Sequence, residues 1–126
     1  AVDAAAAAEA GITLGLSSGG QLAQVAASGN RVAVHVKVDT GLSRNGVAEG
    51  EWGPFVDELA AAQRSGALDL RGVFSHLSNT SPEDDRRQLV AFERFLDAVR
   101  SVGLEPGIRH LAASAAALDH PAARYD

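Results

Sequence analysis

Apolar positions along the chain change period repeatedly, from two to about 3.6 and back. Residues 1–10 are almost pure helix former, and Gly11 is placed to stop that helix. Ile12-Thr13-Leu14-Gly15-Leu16 then alternates like a short strand. Ser18-Gly19-Gly20-Gln21 has the spacing of a helix capping box, and Leu22, Val25 and Ala26 supply one apolar stripe before Gly29-Asn30. The clearest strand is Arg31 to Asp39, with valine at every second position. Thr40 to Gly46 reads as a loop, and Trp52, Phe55, Val56 and Leu59 mark an amphipathic helix closed near Gly66. Leu70 to Leu77 reads as a strand, and Ser78 to Asp85 as a polar loop containing Pro82. A helix follows through Leu89, Val90, Phe92, Phe95, Leu96 and Val99, with Gly103 as its stop. Ile108 to Ala112 forms a fourth strand, and Ser114 to Leu118 a short helix ahead of Pro121.

Roughly four strand–helix units in succession predict an α/β fold with a parallel sheet. Such a sheet is either doubly wound or part of a (β/α)8 TIM barrel. A doubly wound nucleotide-binding domain carries a Gly-rich turn after its first strand. Ser17-Ser18-Gly19-Gly20 lacks the G-x-G-x-x-G spacing and the later acidic residue. A whole barrel takes about 250 residues, and the chain has 126. It also has no Met, whereas a reading frame starts with one. Both point to an internal segment, a partial barrel of about four consecutive βα units.

Composition removes several classes of function. Hydrophobic residues make up 46% and charged residues 21%, the balance of a globular chain rather than a disordered one. A net charge of −5, with arginine scattered along the chain, speaks against a nucleic-acid or anionic-membrane surface. Without Cys there is no disulfide framework, thiol nucleophile or thiolate metal site. No apolar run approaches the length of a transmembrane helix, and residues 1–11 lack the basic start of a signal peptide. The four histidines fall in separate segments without metal-ligand spacing, so no metal site is expected. Ser114 has Ala on both sides and no G-x-S-x-G elbow, which argues against an α/β-hydrolase.

Chemistry is concentrated on the Val32–Asp39 strand. Its valines share one face, while Ala33, His35, Lys37 and Asp39 share the other. A parallel strand is normally apolar on both faces, so a row of His, Lys and Asp needs an explanation. Lys37 is the only lysine beside ten arginines. It either snorkels from the strand end, pairs with Asp39, or serves a site. The same period places Leu70, Gly72, Phe74 and His76 on one face of the next strand. In the last strand it gathers Ile108, His110, Ala112 and Ser114. His76 and His110 lie toward the C-terminal strand ends, where barrel active sites are built, or they are plain core histidines. Ser114 stands where a strand gives way to a helix, as an ordinary N-cap or as a phosphate ligand. Asp84-Asp85-Arg86-Arg87 reads as a solvated helix start.

The segment Val36-Lys37-Val38-Asp39-Thr40-Gly41-Leu42-Ser43-Arg44-Asn45-Gly46 resembles the K-x-D-T-G-[ML]-x-R-x-G motif of alanine racemases, pyridoxal-phosphate enzymes with a fold-type III barrel. Arg71-Gly72-Val73-Phe74-Ser75-His76-Leu77 resembles that family's G-[IVL]-[YFM]-[TS]-H strand. His110-Leu111-Ala112-Ala113-Ser114-Ala115-Ala116 resembles its H-x-x-N-S-A-A segment, and Arg124-Tyr125-Asp126 its F-D before the last barrel strand. The resemblance spans residues 1–126 as the central part of the cofactor-binding barrel domain. It implies that Lys37 is the lysine many members carry as N6-carboxylysine. It implies that Arg44 contacts the cofactor's phenolic oxygen and the substrate carboxylate. His76 and His110 would line the base of the site, and Ser114 would bind the phosphate of pyridoxal 5'-phosphate. Such a carbamate would orient a guanidinium through charge-assisted bonds.

No residue of the chain falls on the family's two catalytic bases. Its Schiff-base lysine belongs to the first barrel strand and its tyrosine to the C-terminal β-domain of the partner subunit, both expected outside residues 1–126. Lys37 and Tyr125 do not match them. The family's Asn before the serine is Ala113 here, which removes any contact from that side chain, and its Met is Leu42, a swap of similar volume. The resemblance implies a cytoplasmic homodimeric isomerase that interconverts L- and D-alanine for peptidoglycan. The alternatives are another fold-type III racemase, lyase or decarboxylase, or a non-catalytic binding fragment.

Overall fold

The computed structural model describes residues 6, 9–29, 31–40, 46–75 and 81–111, the side chains of His110 and Leu111 excepted. The elements in chain order are β1 (Leu14–Leu16), α1 (Gly19–Ala27), β2 (Val32–Lys37), a 3₁₀ turn (Glu49–Glu51), α2 (Trp52–Ser65), β3 (Leu68–Ser75), α3 (Pro82–Ser101) and β4 (Ile108–Leu111). The four strands form one sheet in the order β1-β2-β3-β4, every pair parallel. Strand order equal to chain order means that each crossover steps the same way around the sheet. The helices all cover one face: Val32, Val34, Val36 and Val38 are fully buried, while Ala33, His35, Lys37 and Asp39 are only half-buried. A doubly wound sheet would carry helices on both faces. One covered face and one open face is the arrangement of consecutive βα units in a (β/α)8 barrel.

Local chemistry sets the element ends. Ser18 Oγ accepts from the Gln21 N–H at 3.2 Å as the expected N-cap of α1, while Gln21 Oε1 reaches back one residue further than in a capping box, to the Ser17 N–H at 2.6 Å. Helix α3 starts earlier than the sequence pattern suggests, because Ser81 caps it by accepting from the Asp84 N–H at 3.1 Å. Pro82 opens the first turn, where its missing N–H costs nothing, and Glu83, Asp84 and Asp85 complement the helix dipole. The stretch Ser78 to Asp85 is therefore helix from Pro82 onward, not loop. Nor is the charge run wholly solvated: Asp85 is only 6% exposed, whereas Arg86 and Arg87 face water. The core lies between the valine face and the helices, with Phe92, Phe95, Leu59 and Leu96 fully buried. Trp52 and Phe95 meet edge to face at 5.3 Å, joining α2 to α3.

Strand β3 departs from strict alternation. Val34 pairs with Leu70 but His35 pairs with Gly72, so Arg71 is an extra residue, a β-bulge. The bulge reverses the parity: Leu68, Leu70, Val73 and Ser75 are buried, and Phe74 is half-buried in the row of Lys37. Leu70 and Gly72 thus do not share a face as simple periodicity predicts. Leu70 lies before the β3–β4 ladder begins at Gly72, and its N–H is taken by Gln63 Oε1 at 2.8 Å instead.

Candidate functional site

The C-terminal ends of β2 and β3 are fastened by bonds that the sequence motifs conceal. Beyond Lys37 the Val38 N–H donates to the Phe74 carbonyl at 2.9 Å, extending the β2–β3 ladder. On the other side β1 has ended at Leu16, opposite Val36, and Val47 takes its place. The Val47 N–H donates to the Lys37 carbonyl at 2.9 Å, and the Asp39 N–H donates to the Val47 carbonyl at 3.0 Å. Trp52 Nε1 donates to that same Val47 carbonyl at 2.9 Å, linking the strand end to α2.

This return of the chain explains the last glycine of the K-x-D-T-G-x-x-R-x-G segment. Gly46 has φ +114°, and a Cβ there would lie 2.8 Å from the Asp39 nitrogen and from the Val38 carbonyl carbon. Only a residue without a side chain lets the loop come back against the strand it left. The other foot of the loop is Thr40, buried, with its Oγ1 2.9 Å from Ser75 Oγ. Ser75 Oγ spends its single proton on the Val38 carbonyl at 2.6 Å, so Thr40 donates to Ser75. A hydroxyl from the second motif therefore pins the first. Both feet of the segment containing Arg44 are fixed to β2 and β3.

Replacing Ser75 by Ala is expected to destabilise the protein by about 1–3 kcal/mol, because the buried Thr40 hydroxyl loses its acceptor and the Val38 carbonyl loses a donor. The double change Thr40→Val with Ser75→Ala is expected to cost less than the sum of the two single changes, a non-additivity that urea unfolding measures.

Lys37 is half-buried on the open face, directly beside Phe74 in the sheet register. Phe74 in turn pairs with His110, so the backbone position of His110 continues that row onto β4. Three adjacent strands thus bring Lys37, Phe74 and residue 110 to one level near their C-terminal ends. Among the described residues no carboxylate forms an ion pair with Lys37; the pairs there all belong to arginines. The pairing of Lys37 with Asp39 that alternation allows is not made. Arg44, His76, Ser114, Leu42, Ala113 and Tyr125 lie outside the described residues, as do the short helix at Ser114 and the side chain of His110. No group of three or more potential metal ligands gathers among the described residues, and no described helix is long and apolar enough to cross a membrane.

The roles of Thr40, Gly46 and Ser75 were not apparent from periodicity. Their signal was present in composition: small and hydroxylated residues at two strand ends whose apolar alternation stops there.

Comparison with known proteins matches the whole of residues 1–126 to the family described as the N-terminal domain of alanine racemase. The alanine racemase of Salinispora tropica is 44% identical over 126 residues, covering 93% of this chain and 33% of that protein. That of Thermobifida fusca is 42% identical over 125 residues, covering 94% and 33%. Among solved structures, alanine racemase from Corynebacterium glutamicum superposes with a TM-score of 0.88 at 32% identity, covering 98% of this chain and 36% of that one. Alanine racemase from the D-cycloserine producer Streptomyces lavendulae gives 0.83 at 32% identity, covering 98% and 34%. The chain spans about a third of the length of these relatives. Sequence and fold agree, and the chain belongs to the alanine racemase N-terminal domain family, its described residues forming four consecutive parallel strands of that barrel with the helices between them.

Proposed function

We propose that the chain is the central part of the barrel domain of a pyridoxal-phosphate-dependent alanine racemase, which interconverts L- and D-alanine. The observation that supports this most directly is the motif at residues 36–46, with Lys37 on the open sheet face and its loop fastened at Thr40 and Gly46. The residues present fit the cofactor by their chemistry. A half-buried aromatic side chain, Phe74, is the register partner of Lys37 on the open face, which suits a flat ring.

When bound, pyridoxal phosphate supplies the electron sink that makes the Cα proton of an attached amino acid acidic. The chain's own residues bind and orient. Ser114 would hold the phosphate, since the sequence puts it where a strand is expected to give way to a helix. His76 and His110 line the base of the site. Arg44 orients the substrate carboxylate with its planar guanidinium. Lys37 holds Arg44 as a carbamate: its neutral Nζ attacks carbon dioxide, an N–C bond forms and the amine proton leaves to solvent. The product is an anion placed to bond a guanidinium. Proton transfer on the two faces of Cα falls to a lysine and a tyrosine of the longer protein, the latter from the partner subunit of a homodimer. The reading places the enzyme in the cytoplasm, supplying D-alanine for peptidoglycan.

The full-length protein, loaded with pyridoxal phosphate and given L-alanine, is expected to form D-alanine, read by a D-specific oxidase. Release of carbon dioxide or ammonia without D-alanine would replace this reading with a decarboxylase or lyase of the same barrel. No turnover at all would leave a binding role.

A further inference from the structure

We infer that His35 is a positioning residue, its imidazole forming the floor beneath Lys37. The inference rests on the racemase reading, in which the direction of Lys37 decides where Arg44 is held. His35 stands two positions before Lys37 on β2, so it shares the open face and sits about 6.6 Å nearer the strand's N-terminal end. Its partners in the register are glycines on both neighbouring strands, Gly15 on β1 and Gly72 on β3. Across three strands, the imidazole is therefore the side chain that fills this level of the face.

Its direction is recorded by the space at Gly72. A Cβ there would lie 3.0 Å from His35 Nε2 and 3.1 Å from Cε1, whereas a Cβ at Gly15 would have nothing within 4 Å. The ring thus leans from β2 onto β3 and lies over Gly72, two positions before Phe74, the register partner of Lys37. Lys37 has no ion pair among the described residues to fix its ammonium. The course of its four-carbon stem is then left to its neighbours on that face, Phe74 beside it in the register and His35 two residues before it on the strand. Without the ring, the level under Lys37 is empty from Gly15 to Gly72, and the stem gains room to drop out of its row. A displacement of about 1 Å at a supporting group is enough to lower turnover by about 100-fold.

The test uses the full-length protein loaded with pyridoxal phosphate, with rates normalised to cofactor-loaded sites. His35→Ala is expected to lower kcat for alanine by about 10-fold to 100-fold with KM changed less than about threefold. His35→Gln, which restores most of the volume and reach, is expected to recover kcat to within about threefold of wild type. A purely structural role would lower the yield or melting temperature of His35→Ala and leave kcat per loaded site unchanged. Should His35→Ala not fold, the smaller truncation His35→Val is expected to show a fall of about fivefold, and an unchanged kcat overturns the inference. An active wild type with His35→Ala within threefold of its kcat also overturns the inference alone. A wild type without racemase turnover overturns the functional reading and this inference with it.

Discussion

Mixed with pyridoxal phosphate and L-alanine, the 126-residue chain by itself is expected to form no D-alanine above the rate of free cofactor, and borohydride is expected to leave Lys37 unlabelled. Covalent anchoring of this cofactor takes a lysine amine, and Lys37 is the only lysine in the sequence. In the proposed assignment Lys37 supports Arg44 and does not carry the cofactor. Its backbone is held on both sides, by Val47 at its own carbonyl and by Phe74 at the next N–H. The two bases that move the proton are assigned to other parts of the enzyme, and positioned acid–base groups each contribute about 10²–10⁴ in rate. The expected deficit against the full-length enzyme is thus at least about 10⁴-fold. Peptide mass spectrometry after reduction reads the outcome: a pyridoxyl mass on Lys37, or D-alanine formed at a rate near that of the whole enzyme, would sink the assignment of Lys37 as a supporting group.

Much of the fold was written in the period of the apolar residues. The valines of β2 announce a buried face, and the apolar positions of α2 and α3 at helical spacing announce the helices that cover it. Period alone placed Leu70 and Gly72 on one face, since a bulge inserts a residue without changing composition. Arg71 is an ordinary strand residue until its carbonyl is seen against β4. The start of α3 was hidden for a related reason. Proline suggested a loop, yet at the first turn behind a serine cap it is a helix-starting residue. The site divides in the same way. The row of His35, Lys37 and Asp39 was legible because polar side chains alternated with valine. The hydroxyl link of Thr40 to Ser75 was not, because it joins residues 35 positions apart and depends on the bulge having turned Ser75 inward. A contact between two segments leaves no period in either. The resemblance of the motifs supplied what period could not, and the structure now gives Gly46, Thr40 and Ser75 physical reasons to be in them.

Gly107→Ala is expected to be among the most damaging single substitutions of small size in the chain, destabilising it by about 2–6 kcal/mol. Two terms add. Gly107 has φ +76°, a left-handed conformation that costs a residue with a side chain about 1–3 kcal/mol. A Cβ there would also lie 2.3 Å from the Arg71 carbonyl oxygen and 2.6 Å from its carbonyl carbon, so backbone has to move, at about another 1–3 kcal/mol. The atom it strikes belongs to the bulged residue, whose carbonyl closes against the turn just before β4. Bulge and glycine are therefore one device: the extra residue of β3 reverses the strand's parity, and Gly107 lets β4 enter close enough to pair Ile108 with Gly72. Gly72 belongs to it as well, since a Cβ at that position would lie 2.8 Å from the Ile108 carbonyl oxygen. The effect should reach beyond stability, because β4 carries residue 110 into the row of Lys37 and Phe74 and leads on to Ser114. In the full-length enzyme, Gly107→Ala is accordingly expected to weaken pyridoxal-phosphate binding together with thermal stability. A control alanine at Gly53, exposed within α2 with nothing within 4 Å of its Cβ, should leave both unchanged or slightly improved. Melting curves and cofactor titrations of the two variants decide the matter: equal behaviour of Gly107→Ala and Gly53→Ala would show that the close approach of β4 to the bulge carries no strain, and the coupling argued here would be wrong.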